Sequence, residues 1–206
     1  MARRIRVNGD LFSLLISERR LQARVRSLAR QISKEYRGTV PVFIGVLNGS
    51  FMFLADLIRE VTIPCEVDFL KLSSYGDSKI SSGNVRLLKD LNCQVEGRDI
   101  IVVEDIVDSG LSIQFIRELI ERQNPRSLKV VTLLHKKGSV QTAAPLEYVG
   151  FTIGREFVIG YGLDYAQRER NLPAIYRQVP GAIQPRTRPF GTQRWSSNRR
   201  VRRTAR

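Results

Sequence analysis

The sequence predicts an α/β fold with a mostly parallel central sheet that is flanked by helices. Two observations lead to this prediction. Short apolar runs rich in β-branched residues alternate with amphipathic helical segments along most of the 206 residues. Small or charged residues directly follow several of these runs. Ligands of such sheets bind beyond the carboxyl ends of the strands, so the residues after each run are the candidates for function.

In the first part of the chain, helix and strand patterns alternate. Residues 17–36 have apolar side chains at helical spacing, and Gly38 follows them. Residues 40–47 form an almost uninterrupted apolar run, which is typical of a strand buried on both faces. A second helix is predicted over 51–61 and a second strand over 65–72.

The alternation continues after a segment rich in Ser and Gly, 73–82, which is predicted to be a loop. Apolar runs then predict further strands, and one more segment has the spacing of a helix. The strands are predicted over 85–88, 99–103, 128–134, 148–153 and 157–159, and the helix over 112–122.

The positive charge of the chain is concentrated at one end. There are 34 Lys and Arg residues against 20 Asp and Glu, and the net charge is +14. Nine arginines and no Lys, Asp or Glu lie in 177–206. That composition cannot bury enough apolar surface to fold, so we predict a domain over 1–176 and a disordered tail over 177–206. Phe190 and Trp195 among the arginines are compatible with nonspecific nucleic-acid contact through this tail.

The sequence lacks the motifs and segments that mark several classes of protein. The cysteines Cys65 and Cys93 have no CxxC spacing, which argues against a disulfide framework and a zinc cluster. No apolar run is long enough to span a bilayer, and residues 1–10 do not resemble a signal peptide. No Walker A or GxGxxG motif occurs. We therefore expect a cytoplasmic protein without membrane contact.

The strongest functional signal is the segment 100–112, IIVVEDIVDSGLS. A buried strand runs directly into two adjacent carboxylates, Glu104 and Asp105, and a third, Asp108, follows. Adjacent carboxylates at a strand end are suited to hold a pair of sugar hydroxyls by hydrogen bonds. The less specific alternative is that these acids are solvated and that Asp108 or Ser109 only caps the next helix.

The turn that follows has the parts of a phosphate cradle. Ser109, Gly110 and Ser112 can direct backbone N–H groups and hydroxyls at one anion, and the N-terminus of the helix adds partial positive charge. The segment 100–112 therefore predicts a site for a phosphorylated sugar.

This segment closely resembles the phosphoribosyl-pyrophosphate (PRPP) signature of type I phosphoribosyltransferases. Five further segments, in the family's order, are similar to those of hypoxanthine (hypoxanthine-guanine) phosphoribosyltransferases, and the resemblance covers about residues 10–176. They are 47–53 (LNGSFMF), 67–69 with 73–76 (VDF, SSYG), 87–91 (LLKDL), 133–136 (LLHK) and 157–165 (FVIGYGLDY). The resemblance implies the type I fold with a small hood region and a flexible lid loop.

The family's roles at matching positions imply a PRPP site. Glu104 and Asp105 would hold the ribose hydroxyls, and the backbone of the 47–49 loop, usually with a cis peptide, would bind pyrophosphate. Asn48 stands where the family usually has Lys or Arg, so we expect weaker PRPP binding. The implied PRPP-binding residues are Asn48, Gly49, Glu104, Asp105, Asp108, Ser109, Gly110, Leu111, Ser112 and Arg170.

The same comparison implies a purine site, with Asp108 as general base near N7 and Lys136 as donor to the 6-oxo group. Ser74 and Tyr75 match the tip of the lid. The purine-binding residues would be Lys136, Phe157, Val158 and Asp164, and Mg²⁺ would be held by Glu104, Asp105 and Asp164.

The implied activity is the transfer of 5-phosphoribose from PRPP to hypoxanthine or guanine in purine salvage, by a homodimer or homotetramer. The alternative is a regulator with the same fold that binds PRPP and contacts nucleic acid through its basic tail. A regulator does not need a purine pocket. The joint presence of Asp108, Lys136, Phe157 and Arg170 therefore favours the enzyme.

Overall fold

The computed structural model describes residues 4–74, 85–138 and 144–181. Within these ranges the chain forms three helices and ten strands. The helices are α1 (Glu18–Glu35), α2 (Phe51–Glu60) and α3 (Leu111–Glu121). The strands are β1 (Arg4–Val7), β2 (Asp10–Ile16), β3 (Val42–Leu47), β4 (Glu66–Ser74), β5 (Val85–Lys89), β6 (Asp99–Val107), β7 (Ser127–Lys136), β8 (Tyr148–Ile153), β9 (Val158–Ile159) and β10 (Ile175–Gln178).

The central sheet has six strands in the order β5-β4-β3-β6-β7-β8. All neighbouring pairs are parallel except β4 and β5. The predicted α/β fold with a mostly parallel sheet is therefore confirmed. Because the strands are parallel, the ends of β3, β6 and β7 lie at the same edge of the sheet.

Helices cover both faces of this sheet, as the apolar strands require. Alternate residues of β6 enter different cores: Ile101 and Val103 pack with α1 and α2, while Ile100 and Val102 pack with α3. The three helices match the predicted ones within about one residue, and Ser17 is the N-cap of α1. Among the described residues, no helix has the length and apolar character needed to cross a membrane.

A second sheet, the hood sheet, has four antiparallel strands in the order β1-β2-β10-β9. The sequence analysis missed its first hairpin, β1–β2. The turn between these strands is Asn8-Gly9, with φ of 51° and 90°. Asn-Gly is the preferred pair for a two-residue hairpin turn, because both positions need positive φ. This dipeptide, between two short runs containing apolar residues, was the available signal.

The last strand crosses the domain boundary that the sequence analysis placed after residue 176. In β10, Arg177 pairs with Ser13 and with Val158, and Gln178 pairs with Phe12. Two residues assigned to the tail thus belong to the hood sheet. Residues 182–206 lie outside the described part of the chain, so the predicted disorder and nucleic-acid contact of the tail stay predictions.

A chain that ends at Tyr176 should be less stable than one that ends at Gly181. The shorter chain loses the N–H groups of Gln178 and Val179, which donate to Phe157 O at 2.9 Å and to Leu11 O at 2.8 Å. Two lost backbone hydrogen bonds cost about 1–3 kcal/mol of unfolding free energy. Urea denaturation of both chains measures the difference, and equal midpoints would contradict it.

Candidate active site

Two adjacent carboxylates lie near the end of the central strand β6, of which Glu104 is buried and Asp105 is half-buried. Glu104 is only 9% exposed, and its Oε2 atom has no hydrogen-bond partner among the described residues. Burial, reinforced by the neighbouring Asp105, raises the pKa of Glu104 well above its usual range. Burial also raises the pKa of Asp105 to about 6, although the backbone N–H of Ile106 donates to its Oδ1 atom at 2.8 Å. The pair therefore needs a donor or a cation to be satisfied.

The loop after β3 lies directly against Asp105. The Leu47–Asn48 peptide bond is cis. A Cβ atom on Gly49 would lie 1.5 Å from Asp105 Oδ2, and one on Gly162 would lie 2.1 Å from Gly49 O. Only glycine permits these two approaches, so the loop, the acid and the 160–164 segment form one contiguous site.

Arg170 is fixed at the border of this site. Its Nη1 atom donates to Gly162 O at 2.7 Å, and its Nη2 atom lies 2.8 Å from Asp164 Oδ1. The other carboxylate oxygen of Asp164 accepts the N–H of Gln167 at 2.8 Å. Arg170 thus has a defined orientation, and its side chain is 21% exposed.

The N-terminus of α3 is free of the side-chain cap that most helices have. Its N-cap is Gly110, with φ of 82°, and glycine has no side chain that could accept the helical N–H groups. The Ser109 hydroxyl accepts the Leu111 N–H at 3.4 Å. Ser109 therefore accepts one helical N–H, as the alternative predicts, whereas the N-cap position itself is occupied by Gly110. Uncapped N–H groups and the helix dipole favour an anion here.

Asp108 and Lys136 meet beside this turn. Lys136, the last residue of β7, donates from Nζ to Asp108 Oδ2 at 2.6 Å. The Lys136 side chain is 14% exposed and that of Asp108 is 53% exposed. A donor and an acceptor are thus held side by side at the rim of the site.

An aromatic cluster lies beside the hood sheet, at the residue that precedes β9. Phe157 is 43% exposed, and its ring packs edge-on against Tyr165 with centroids 5.5 Å apart. Phe12, on β2, packs against both rings and is fully buried. Val158 is buried at the start of β9. Sequence reasoning missed Phe12 because its element was not predicted.

The described part of the chain does not assemble the predicted lid tip or the predicted Mg²⁺ ligands. Ser74 ends β4, and Tyr75 lies in 75–84, outside the described residues. Within the described ranges, no three His, Cys, Asp or Glu side chains form a group that could hold a metal ion. Glu104, Asp105 and Asp164 are therefore not a complete metal cage by themselves.

The parallel sheet, the adjacent acids Glu104 and Asp105, the N-terminus of α3 and the fixed Arg170 together form a candidate site for a phosphorylated sugar. The family model for the phosphoribosyl transferase domain matches residues 16–166. The hypoxanthine-guanine phosphoribosyltransferase of Bacillus subtilis is 46% identical over 166 residues, which cover 81% of this chain and 92% of that protein. The hypoxanthine phosphoribosyltransferase of Salmonella typhimurium is 46% identical over 168 residues, covering 81% and 94%.

Solved structures agree with the sequence matches. The crystal structure of a hypoxanthine-guanine phosphoribosyltransferase from Bacillus anthracis superposes with a TM-score of 0.77 at 45% identity, covering 81% of this chain and 98% of that one. The chain belongs to the phosphoribosyltransferase family, and within it to the hypoxanthine phosphoribosyltransferases.

Some relatives are much longer. The bifunctional protein TilS/HprT of Listeria innocua is 46% identical over 169 residues, or 82% of this chain. The chain spans about a quarter of that relative, 26% of its length.

Asp105→Asn should stabilise the protein at neutral and alkaline pH. The folded-state pKa of Asp105, about 6, exceeds the ordinary value of 3.8, so its contribution to stability is present below pH 3.8 and is lost as the pH rises through 6. Asparagine avoids this loss and can still accept the Ile106 N–H. Urea denaturation should show the variant to be more stable at about pH 8, with the gain shrinking towards about pH 4.5.

Asp68→Asn is the control with the opposite sign. Burial alone would raise the pKa of Asp68, but the N–H groups of Cys93, Phe69 and Asn92, with Lys89, outweigh it and lower the pKa to about 2. Its contribution to stability is present above pH 3.8 and is lost as the pH falls towards 2, so this variant should be destabilised at neutral pH. If both variants changed the free energy of unfolding at neutral pH in the same direction, the opposite pKa shifts assigned to Asp105 and Asp68 would be contradicted.

Proposed function

We propose that the chain transfers 5-phosphoribose from PRPP to N9 of hypoxanthine or guanine, which gives IMP or GMP and pyrophosphate. The observation that carries this proposal is the pair of Lys136 Nζ and Asp108 Oδ2, 2.6 Å apart. A 6-oxopurine presents an acceptor, O6, next to a protonated N7. Lys136 can donate to O6, and Asp108 can accept the N7 proton. Adenine has an amino donor at the 6-position, which Lys136 would oppose.

The ribose and its 5′-phosphate fit the β6–α3 turn. Two ribose hydroxyls would donate to Glu104 and Asp105 and so satisfy the Oε2 atom of Glu104, which lacks a partner among the described residues. The 5′-phosphate would be bound by the uncapped N–H groups and hydroxyls of 109–112. Leu111 would take part only through its backbone.

Pyrophosphate would leave towards the glycine-lined side of the site. The backbone of Asn48 and Gly49 borders Asp105 there, and Arg170 is fixed nearby through Gly162 O. Asn48 adds no positive charge, so Arg170 would supply most of the protein charge that stabilises the leaving group.

The residues present fit Mg²⁺ when the substrate contributes ligands. Mg²⁺ prefers oxygen ligands and is usually held by one or two carboxylates together with substrate phosphates. The unpartnered carboxylate oxygen of Glu104, Asp105 beside it and Asp164 supply such oxygens within the described part of the chain. When bound, the ion would neutralise negative charge that develops on pyrophosphate.

The purine must lose a proton as its N9 atom bonds to the ribose. Asp108 is the acceptor, because its carboxylate is exposed at the purine edge while Glu104 is buried. Lys136 would exchange its bond to Asp108 for one to O6 when the base binds. Phe157 would stack on the base with its exposed face, and the Val158 backbone would contact the base edge.

Location and assembly complete the proposal. The thiols of Cys65 and Cys93 are both free, which suits a reducing cytoplasm. The family resemblance leads us to propose a homodimer or homotetramer. Steady-state kinetics with PRPP, Mg²⁺ and each of hypoxanthine, guanine, xanthine and adenine test the activity. Absence of turnover with every base would refute it.

Asp108→Asn should lower kcat about 10²-fold, as expected for a lost general base. Binding of PRPP should persist, because Glu104, Asp105 and the α3 N-terminus are unchanged. Single-turnover rates should be measured, since slow product release could mask the effect in kcat. An unchanged single-turnover rate would remove Asp108 from the mechanism.

Lys136→Ala should raise the KM for hypoxanthine and guanine far more than the KM for PRPP. A charge-assisted hydrogen bond worth roughly 1.5–3 kcal/mol is lost, which is about 10- to 100-fold in affinity. Lys136→Gln should accept adenine better, because its amide oxygen can accept a hydrogen bond. Lys137→Ala is the matched control, since this neighbour is exposed. Equal effects at both positions would contradict the assignment.

A further inference from the structure

Three consecutive residues in the loop after β9 have left-handed backbone conformations. The φ angles of Gly160, Tyr161 and Gly162 are 95°, 51° and 100°. Glycine adopts such angles freely, but tyrosine does so at a cost in free energy. Tyr161 is therefore held in place by its surroundings, and its contacts indicate what the turn does.

The turn touches both sides of the pyrophosphate end of the site. On one side, the Cα atom of Gly162 lies against Gly49 O, where a Cβ atom would be 2.1 Å away. On the other, Gly162 O accepts the Nη1 donor of Arg170 at 2.7 Å. A shift of this turn would thus move the glycine loop and the arginine relative to each other.

The Tyr161 side chain connects the turn to the helix that follows the loop. It is only 2% exposed, and its hydroxyl donates to Asp56 Oδ2 at 2.6 Å. Asp56 lies on α2, which starts at Phe51, directly after the loop. Gln22 of α1 donates to the same Asp56 oxygen at 2.6 Å. Burial raises the pKa of Tyr161, so the hydroxyl is a proton donor at neutral pH.

We propose that Tyr161 and Asp56 are positioning residues for the pyrophosphate end of the active site. Their hydrogen bond fixes the Gly162 turn, and with it Arg170, at a set distance from the Asn48–Gly49 loop. Neither side chain touches the substrate in this assignment, which rests on the proposed function. The purine end, at Lys136 and Asp108, does not depend on this bond.

The test is Tyr161→Phe, which removes the hydroxyl and keeps the ring. We expect the KM for PRPP and the inhibition constant of pyrophosphate to rise about threefold to tenfold, as for one lost hydrogen bond. The KM for hypoxanthine should stay within about twofold. A bond that only stabilised the fold would not raise the KM for PRPP while leaving the KM for hypoxanthine unchanged.

Tyr148→Phe is the matched control. Its hydroxyl also donates to a carboxylate, that of Glu35, but Tyr148 begins β8 and so lies at the opposite end of the sheet. This variant should lower the thermal midpoint and leave the KM for PRPP unchanged. Equal PRPP effects in the two variants, or no PRPP effect in Tyr161→Phe, would overturn the inference.

Variants at Asp56 test the same bond from the other side. Asp56→Ala should reproduce the rise in KM for PRPP, and combining it with Tyr161→Phe should add little, because both remove one interaction. Asp56→Asn keeps an oxygen acceptor and should restore most of the affinity. Additive effects would contradict the shared bond, and this series decides the question if Tyr161→Phe does not fold.

Calorimetry of Mg²⁺-pyrophosphate binding separates this inference from the proposed function. If the unchanged protein binds pyrophosphate but turns over no base, the proposed function fails and the comparison of Tyr161→Phe with Tyr148→Phe still applies. If it turns over hypoxanthine and both variants bind pyrophosphate as tightly as the unchanged protein, only the inference fails.

Discussion

The placement of two adjacent carboxylates near the end of β6, one buried and one half-buried, is the constraint on which the rest of the site depends. β6 is an interior strand, and its residues from Asp99 to Glu104 are all buried. A charge at such a position is costly unless it is paired. Glu104 keeps an oxygen without a partner among the described residues, and the pKa values of both acids are raised. These two acids therefore stand to gain from any ligand that supplies hydrogen-bond donors or positive charge.

The surrounding backbone packs closely against Asp105. Gly49 approaches Asp105 more closely than any side chain allows, and Gly162 approaches Gly49 in the same way. Because Gly49 lies against Asp105 and Gly162 lies against Gly49, the backbone of the loop cannot shift without a steric clash. The packing therefore determines the positions of Asn48 and Gly49. The Tyr161–Asp56 hydrogen bond is made by a buried side chain next to Gly162, so it stabilises the 160–162 turn without contacting a bound ligand in our proposal.

Local patterns predicted most of the central sheet but little of the hood sheet. The strands β3, β6 and β7 contain apolar runs, and Asn48 and Asp108 follow two of these runs closely, whereas Lys136 was identified through the family resemblance. The hood sheet is built from strands of two to seven residues, and β10 pairs with β2 from the other end of the chain. Such non-local pairing leaves no periodic signal in a single sequence. For the same reason, neither the packing of Phe12 on Phe157 nor the bond from Tyr161 to Asp56 could be predicted.

Asp68 and Asp105 show how one residue type serves stability in one place and binding in another. Both are aspartates in neighbouring parts of the same sheet, on β4 and β6. Asp68 accepts three backbone N–H groups, and those of Asn92 and Cys93 connect β4 to the segment after β5. Its pKa falls to about 2. Asp105 accepts the N–H of Ile106 at 2.8 Å, and its pKa rises to about 6. At Asp105 burial outweighs the hydrogen bonds, whereas at Asp68 three N–H groups and Lys89 outweigh burial. A carboxylate whose donors are all internal is structural. One that lacks donors remains available to a ligand, at a cost in stability that substrate binding can recover.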